Sequence, residues 1–212
     1  MPKEARLNPD IDYGSMTDSR DGKVYKTVKI GDQVWMAENL NYADSAKTPS
    51  LKGKSWCYNN IDKNCDVAGR LYSWAAAMDS VTIGCGYGST CSPTLPVRGI
   101  CPEGWHLPSY NEWNALFTAV GGQSTAATAL KSQTGWNNNG NGTDAFGFSA
   151  LPAGNRHDNG DYYGGGYNTY FWSSTEYGSN DAYDMYLNYN NGNAGLGLNY
   201  KYNGFSVRCL KD

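Results

Sequence analysis

Six cysteines and two histidines are the first places to look for chemistry in this 212-residue chain. Cys57 and Cys65 bracket a short loop, Cys85 and Cys91 bracket another, and Cys101 and Cys209 stand far apart. The count is even and no CxxC…CxxC spacing occurs, so structural disulfides are favoured over zinc, with local pairing of the first two couples one connectivity among many. Disulfides place the chain in an oxidising setting, secreted or at the cell surface. Met1-Pro2-Lys3-Glu4 has no apolar h-region, so any export signal is expected to have been removed. His106 stands just before Leu107-Pro108 and reads as structural, while His157 is a lone loop residue. No Ser/His/Asp arrangement and no Gly-rich phosphate loop is present. Asp158, Asp161, Glu176, Asp181 and Asp184 are the carboxylates from which a paired-acid glycosidase would have to draw. Oxygen ligands are dense between Asn137 and Asp144, where Asn137, Asn138 and Asp144 could hold a structural calcium. No DxDxDG pattern accompanies them, so a solvated turn is the simpler reading. Asn141-Gly142-Thr143 matches a glycosylation sequon, a tripeptide common by chance.

The densest signal is not catalytic. Across residues 155–204, 29 of 50 residues are Asn, Tyr or Gly. Rigid amphipathic aromatics supply contact area there, and small polar residues supply adaptable hydrogen bonds, as in a paratope. Such a palette offers little that can act as base, nucleophile or metal ligand near neutral pH. The expected ligand-binding residues are Tyr162, Tyr163, Tyr167, Asn168, Tyr177, Asn180, Asp181, Tyr183, Asp184, Tyr186, Asn188, Asn190, Asn199, Tyr200 and Tyr202. The competing reading is that Asn and Gly serve turns and that half of the tyrosines are core. The ligand is expected to be a protein or a glycan at a cell surface. A net charge of −3 without a Lys/Arg cluster argues against nucleic acid, and the lack of a long apolar run argues against membrane insertion.

The elements that position these residues must be built from a limited stock of aliphatics, because Leu, Ile, Val and Phe number only 31 of 212. Seven Trp and 17 Tyr, at low net charge, point to an aromatic core rather than disorder. Residues 1–16 read as a flexible lead-in and 17–212 as one domain. Val24, Thr27-Val28 and Ile30, the Gly31-Asp32 turn and Val34-Trp35-Met36 predict a β-hairpin. Residues 41–68 read as a loop, and Leu71, Trp74, Ala75 and Met78 predict a helix over 69–78. Ser109 and Glu112 form a capping box before a face of Trp113, Leu116, Phe117 and Val120, stopped by Gly121-Gly122. A shorter helix is expected over about 124–132. Strands are expected at 146–152, 170–174, 183–188, on the return after Asn191-Gly192, and at 205–209. Tyr183, Met185 and Leu187 alternate with Asp184, Tyr186 and Asn188, and the second set is expected to face outward. The resulting class is α+β, loop-rich and disulfide-stapled, with two or three helices and a twisted antiparallel sheet.

Six phrases carry a family resemblance. They are Val34-Trp35-Met36-Ala37-Glu38-Asn39-Leu40, Gly69-Arg70-Leu71-Tyr72 through Ala77-Met78, and Cys101-Pro102-Glu103-Gly104-Trp105-His106-Leu107-Pro108-Ser109. Gly147-Phe148-Ser149-Ala150-Leu151-Pro152-Ala153-Gly154, Trp172-Ser173-Ser174-Thr175-Glu176 and Gly204-Phe205-Ser206-Val207-Arg208-Cys209 complete them. Together they resemble the Fibrobacter succinogenes major paralogous domain. That family is similar in turn to the C-type lectin-like fold, in its formylglycine-generating-enzyme branch. The Leu107 to Trp113 helix start and the closing Gly204 to Arg208 segment carry that second likeness. The resemblance implies a Cys101–Cys209 disulfide. An enzyme of that branch works with two close thiols near its C-terminus, and this chain has Cys209 alone there. The branch also includes variable proteins of diversity-generating retroelements, whose adenine-directed mutation turns Asn codons into Tyr, Asp, Ser, His or Gly. The expectation is therefore a non-catalytic binding or adhesion domain, able to serve within a larger surface assembly. The alternatives are a formylglycine-generating or carbohydrate-active enzyme.

Overall fold

The computed structural model describes residues 3–212. Two five-stranded sheets and five short α-helical segments share one body whose core divides into two clusters. Sheet one contains β1 (Gly14–Thr17), β2 (Val24–Ile30), β3 (Gln33–Met36), β6 (Trp105–His106) and β12 (Leu210–Lys211), in the order β1-β2-β3-β12-β6. Leu210 pairs with both Trp35 and His106, so the last strand is inserted between segments from the first half of the chain. Sheet two contains β7 (Ala153–Arg156), β8 (Tyr162–Gly165), β9 (Asn168–Glu176), β10 (Asp181–Asn188) and β11 (Gly195–Tyr200), in the order β11-β10-β9-β7-β8. Its pairings are antiparallel except for one parallel contact, Gly154 with Thr169. A two-stranded ribbon joins β4 (Ser55–Trp56) to β5 (Leu71–Tyr72).

The helices are α1 (Asp62–Ala68), α2 (Trp74–Ala77), α3 (Ser80–Ile83), α4 (Tyr110–Ala119) and α5 (Gln123–Leu130). Only α4 and α5 are longer than seven residues. The start of α4 is the capping box read from sequence: Ser109 Oγ accepts from Glu112 N–H, and Glu112 returns the bond to Ser109 N–H at 2.8 Å. Its Trp113, Leu116, Phe117 and Val120 are buried, and Trp113 stacks on Trp35 with ring centres 4.7 Å apart. Phe148 and Phe171 close the same aromatic cluster. The other cluster holds Tyr72, Trp74, Trp172 and Phe205. Aromatic rings, each burying far more area than a Val or Leu, thus replace the scarce aliphatics.

The disulfides are Cys57–Cys65, Cys85–Cys91 and Cys101–Cys209. The last closes a 108-residue separation and stabilises by about 4 to 5 kcal/mol in the chain-entropy view.

Several expectations need correction. Residues 69–78 are not one helix: Leu71 and Tyr72 pair with β4, Tyr72 also bridges Phe205, and Ser73 then caps the four-residue α2. Tertiary pairing outweighs the local helical pattern here. The loop expected over 41–68 contains β4 and α1. Residues 146–152 are irregular rather than a strand, because Ser149 takes a left-handed φ of 53° and Asp144 bonds its backbone N–H. Phe205 and Ser206 make isolated bridges, and the closing strand proper is Leu210–Lys211. The described part of the expected lead-in lies against the body. Arg6 and Asn8 are buried, Leu7, Ile11 and Tyr13 pack on the α4–α5 cluster, and the boundary drawn after residue 16 cuts β1.

Candidate binding surface

Sheet two presents one face to α4 and α5. On that face Met185 and Leu187 of β10 are buried with Phe171 of β9, under Trp113, Leu116 and Phe117. The cover ends where α4 begins. One residue pair further along the same face, Tyr183 meets the ring of Tyr110, the first residue of α4, at 4.7 Å. Tyr177, on the β9–β10 hairpin, packs edge-on to Tyr183 at 5.8 Å. Leu198 is the cross-strand partner of Tyr183, and Tyr200 is that of Asp181. Tyr177 is 62% exposed, Leu198 44% and Tyr200 53%, so the apolar stripe emerges into solvent as an aromatic patch. It is continuous with the core yet not needed to fill it.

A second exposed pair, Tyr87 and Tyr202, stacks with ring centres 3.8 Å apart. Between the two groups lies a charge that sequence reading did not single out. The side chain of Lys201 is fully buried and its ammonium donates to the carbonyls of Gly86 (3.2 Å), Ser89 (3.0 Å) and Ser179 (3.1 Å). It also pairs with Glu176 and sits 4.5 Å from the Trp74 ring centre. Glu176 in turn accepts from Cys91 N–H at 3.0 Å. One ammonium therefore ties the Cys85–Cys91 loop, which carries Tyr87, to the hairpin that carries Tyr177. The available signal was scarcity: Lys201 and Arg156 are the two Lys/Arg residues of the 155–204 tract, and Arg156 lies over the Trp56 ring at 4.1 Å.

The opposite face of sheet two holds Asn168, Tyr186, Asn188 and Asn199, all partly exposed. Asp184 belongs to the same face but does not point to solvent as expected: it is 0% exposed. Its neighbours in register are Trp172 and Gly197, and Tyr186 leans across the glycine side, where a Cβ on Gly195 would sit 2.1 Å from the Tyr186 ring. Asp184 Oδ2 accepts from Asn199 Nδ2 at 2.8 Å, and Oδ1 has no hydrogen-bond partner among the described residues. Burial pushes its carboxyl up to about 7, against which the Asn199 hydrogen bond works only in part. Burial, then Asp184 and Tyr186, raises the nearby Tyr170 hydroxyl.

The remaining expected residues lie elsewhere. Tyr162 donates to Asn60 at 2.6 Å and packs on Tyr58, with Tyr163 exposed beside His157. Tyr167 packs on Tyr189, while Asn180 and Asn190 are exposed in hairpin turns. The fifteen residues are thus not one surface. Tyr177, Asp181, Tyr183 and Tyr200 are brought together, and the structure adds Tyr110 and Leu198 to them.

The suggested calcium ligands are dispersed in purpose. Asp144 is buried and both its oxygens bind Ser149, through the backbone N–H and the hydroxyl, each at 2.6 Å. Asn137 and Asn138 are exposed, and among the described residues no group of three His, Cys, Asp or Glu could hold a metal ion. His106 bridges Glu112 (2.9 Å) and Asp212 (2.7 Å). Burial works against its charge, but those two hydrogen bonds prevail and its pKa is raised.

Residues 28–211 match the family described as the Fibrobacter succinogenes major domain. The chain belongs to that family. No curated protein and no solved structure gives a significant match. Four of the six phrases that carried the resemblance lie at structural positions of this chain: the β3 core strand, the Ser109 cap, the Cys101–Cys209 staple and the Trp172 to Phe205 stack. Among the described residues no helix is long and apolar enough to cross a membrane.

Proposed function

We propose that this domain is a non-catalytic extracellular binding module whose ligand, a protein or a glycan at a cell surface, docks on the Tyr110, Tyr177, Tyr183, Leu198 and Tyr200 patch. The observation that carries this reading is the continuation of the α4-covered stripe into solvent as exposed aromatic rings. Tyrosine on such a patch offers area at low entropic cost and a hydroxyl for orientation. Support for a non-catalytic role comes from the groups that could react. All six cysteines are bonded, Glu176 is tied to Lys201, and Asp184 lies beneath Tyr186 rather than in a cleft. The disulfides also support an oxidising, extracellular setting, and a place within a larger surface assembly is part of the same proposal.

The C-type lectin-like relationship and diversification by a retroelement belong to the same proposal. If the tract is rewritten, its Asn codons end in AAC and a template repeat with a reverse transcriptase gene lies nearby; the gene sequence decides this. Ligand class is tested with a glycan array beside a protein capture experiment, each run with the wild type and with Tyr177→Ser/Tyr183→Ser/Tyr200→Ser. The expected result is a ligand retained by the wild type and lost at least about tenfold by the variant, equivalent to about 1.4 kcal/mol or more. A ligand that binds both proteins equally would remove the patch from the proposal.

A further inference from the structure

β11 is the outer strand of sheet two, and its free side is closed only at its ends, where Ala194 N–H donates to the Gln123 carbonyl at 3.0 Å and Asn203 N–H to the Tyr200 carbonyl. Lys201 N–H donates to the Asn180 carbonyl at 2.9 Å, one step beyond the Asp181–Tyr200 pair. Asn180 and Lys201 are therefore in hydrogen-bonded register, and by antiparallel alternation so are Ala182 with Asn199, Asp184 with Gly197, and Tyr186 with Gly195. The peptide groups of Leu196, Leu198 and Tyr200 consequently point away from β10. The Tyr200 carbonyl accepts from Asn203 N–H at 2.9 Å. The other outward N–H and C=O groups have no partner among the described residues.

Proteins blunt such edges with charged residues, proline, bulges or brevity. β11 reads Gly-Leu-Gly-Leu-Asn-Tyr over six residues and contains none of these devices. The other free edges differ. β1 and β6 are four and two residues long, and β8 is overlaid by Tyr58, whose hydroxyl accepts from Gly165 N–H at 3.1 Å.

We propose that β11 pairs with β11 of a second copy of this chain, antiparallel about a twofold axis at Leu198. The strand is complementary to itself in that register. Leu198 faces its own counterpart and Leu196 faces Tyr200, all with side chains on one face, while Gly197 faces Asn199 on the other. No charge lies within β11, so self-pairing sets no like charges against each other. The outward groups also match: Leu198 N–H meets the Leu198 carbonyl of the second copy, and Tyr200 N–H meets the Leu196 carbonyl, each reciprocally. An interface of this kind is isologous and closes on itself rather than growing into a fibre. It also joins the two tyrosine patches, because Leu198 is the cross-strand partner of Tyr183. A dimer so formed would present a multivalent ligand with two adjoining sites. The pairing does not depend on the ligand-binding proposal.

Sedimentation velocity from low micromolar to millimolar protein tests it, together with amide exchange at both extremes. A monomer–dimer equilibrium is expected, with the Leu196, Leu198 and Tyr200 amides protected only at the high concentration. Leu198→Lys brings two ammonium groups together at the axis on an already exposed position, and its fold is checked by circular dichroism. It should weaken the dimer at least about tenfold. Leu198→Pro removes the outward N–H while leaving the ladder to β10 intact, and should act in the same direction. A monomer at millimolar concentration with freely exchanging edge amides would overturn the proposal. So would a dimer indifferent to both substitutions, or protection of those amides that does not change with concentration. Loss of ligand binding in Tyr177→Ser/Tyr183→Ser, both outside β11, with the dimer intact, would bear on the binding surface alone.

Discussion

Asp184→Asn is the perturbation whose outcome is most tightly set by the structure. Burial raises the folded-state pKa of Asp184 to about 7 from an ordinary value of 3.8. The folded chain therefore holds this proton more tightly than the unfolded chain. Below pH 4 both states are protonated and the residue has no pH-dependent effect. Between about pH 4 and 7 the unfolded chain releases the proton while the folded chain keeps it, so stability falls by about 1.4 kcal/mol per pH unit. Above pH 7 both states are ionised and the loss is complete, about 4 kcal/mol in all. Asparagine keeps the shape and can still accept from Asn199 Nδ2, which now reaches Asp184 Oδ2 at 2.8 Å, but carries no charge to desolvate. The variant should match the wild type at pH 4 and exceed it by about 2 to 4 kcal/mol at pH 8, allowing for local relaxation. The assay is urea unfolding at half-unit pH steps from 4 to 8.5, with the disulfides intact. Asp144, which burial raises to about 6, and His106, also raised, add slopes of the same sign. Both remain in the variant and cancel in the difference. A stability difference that does not change with pH, or a variant weaker than the wild type at pH 8, would show that burial does not hold the Asp184 proton.

Three further expectations follow from the same packing. Lys201→Met leaves Glu176 and three carbonyls without their cation, and should cost about 3 kcal/mol by urea unfolding while speeding amide exchange in residues 85–91 and 177–180. Removing Cys101–Cys209 as a double Ala variant should cost about 4 to 5 kcal/mol, and removing Cys85–Cys91 about 2, a difference that tracks separations of 108 and 6 residues. A chelator should leave the melting temperature unchanged, since the buried Lys201 and Lys131 ammoniums tie together loop carbonyls that a cation would otherwise bind; a downward shift would point to a metal.

Local rules made part of this protein legible from sequence. The Ser109 and Glu112 capping box, the Gly31-Asp32 hairpin and the alternation along β10 and β11 depend on neighbours within a few residues, and each formed where its pattern stood. The even cysteine count favoured disulfides for a similarly local reason. Tertiary structure decided the rest. Whether Leu71 and Tyr72 would be helix or strand depended on β4 and Phe205, far away in sequence. Whether Asp184 would face water depended on Trp172, Tyr186 and the Gly195 and Gly197 pair, because both faces of sheet two are covered over part of their length. Composition announced a tyrosine-rich surface but could not sort the rings into separate groups, since that required knowing where α4 stops shielding the sheet. The sequence alone determined which residues could bind. The fold determined which of them stand together.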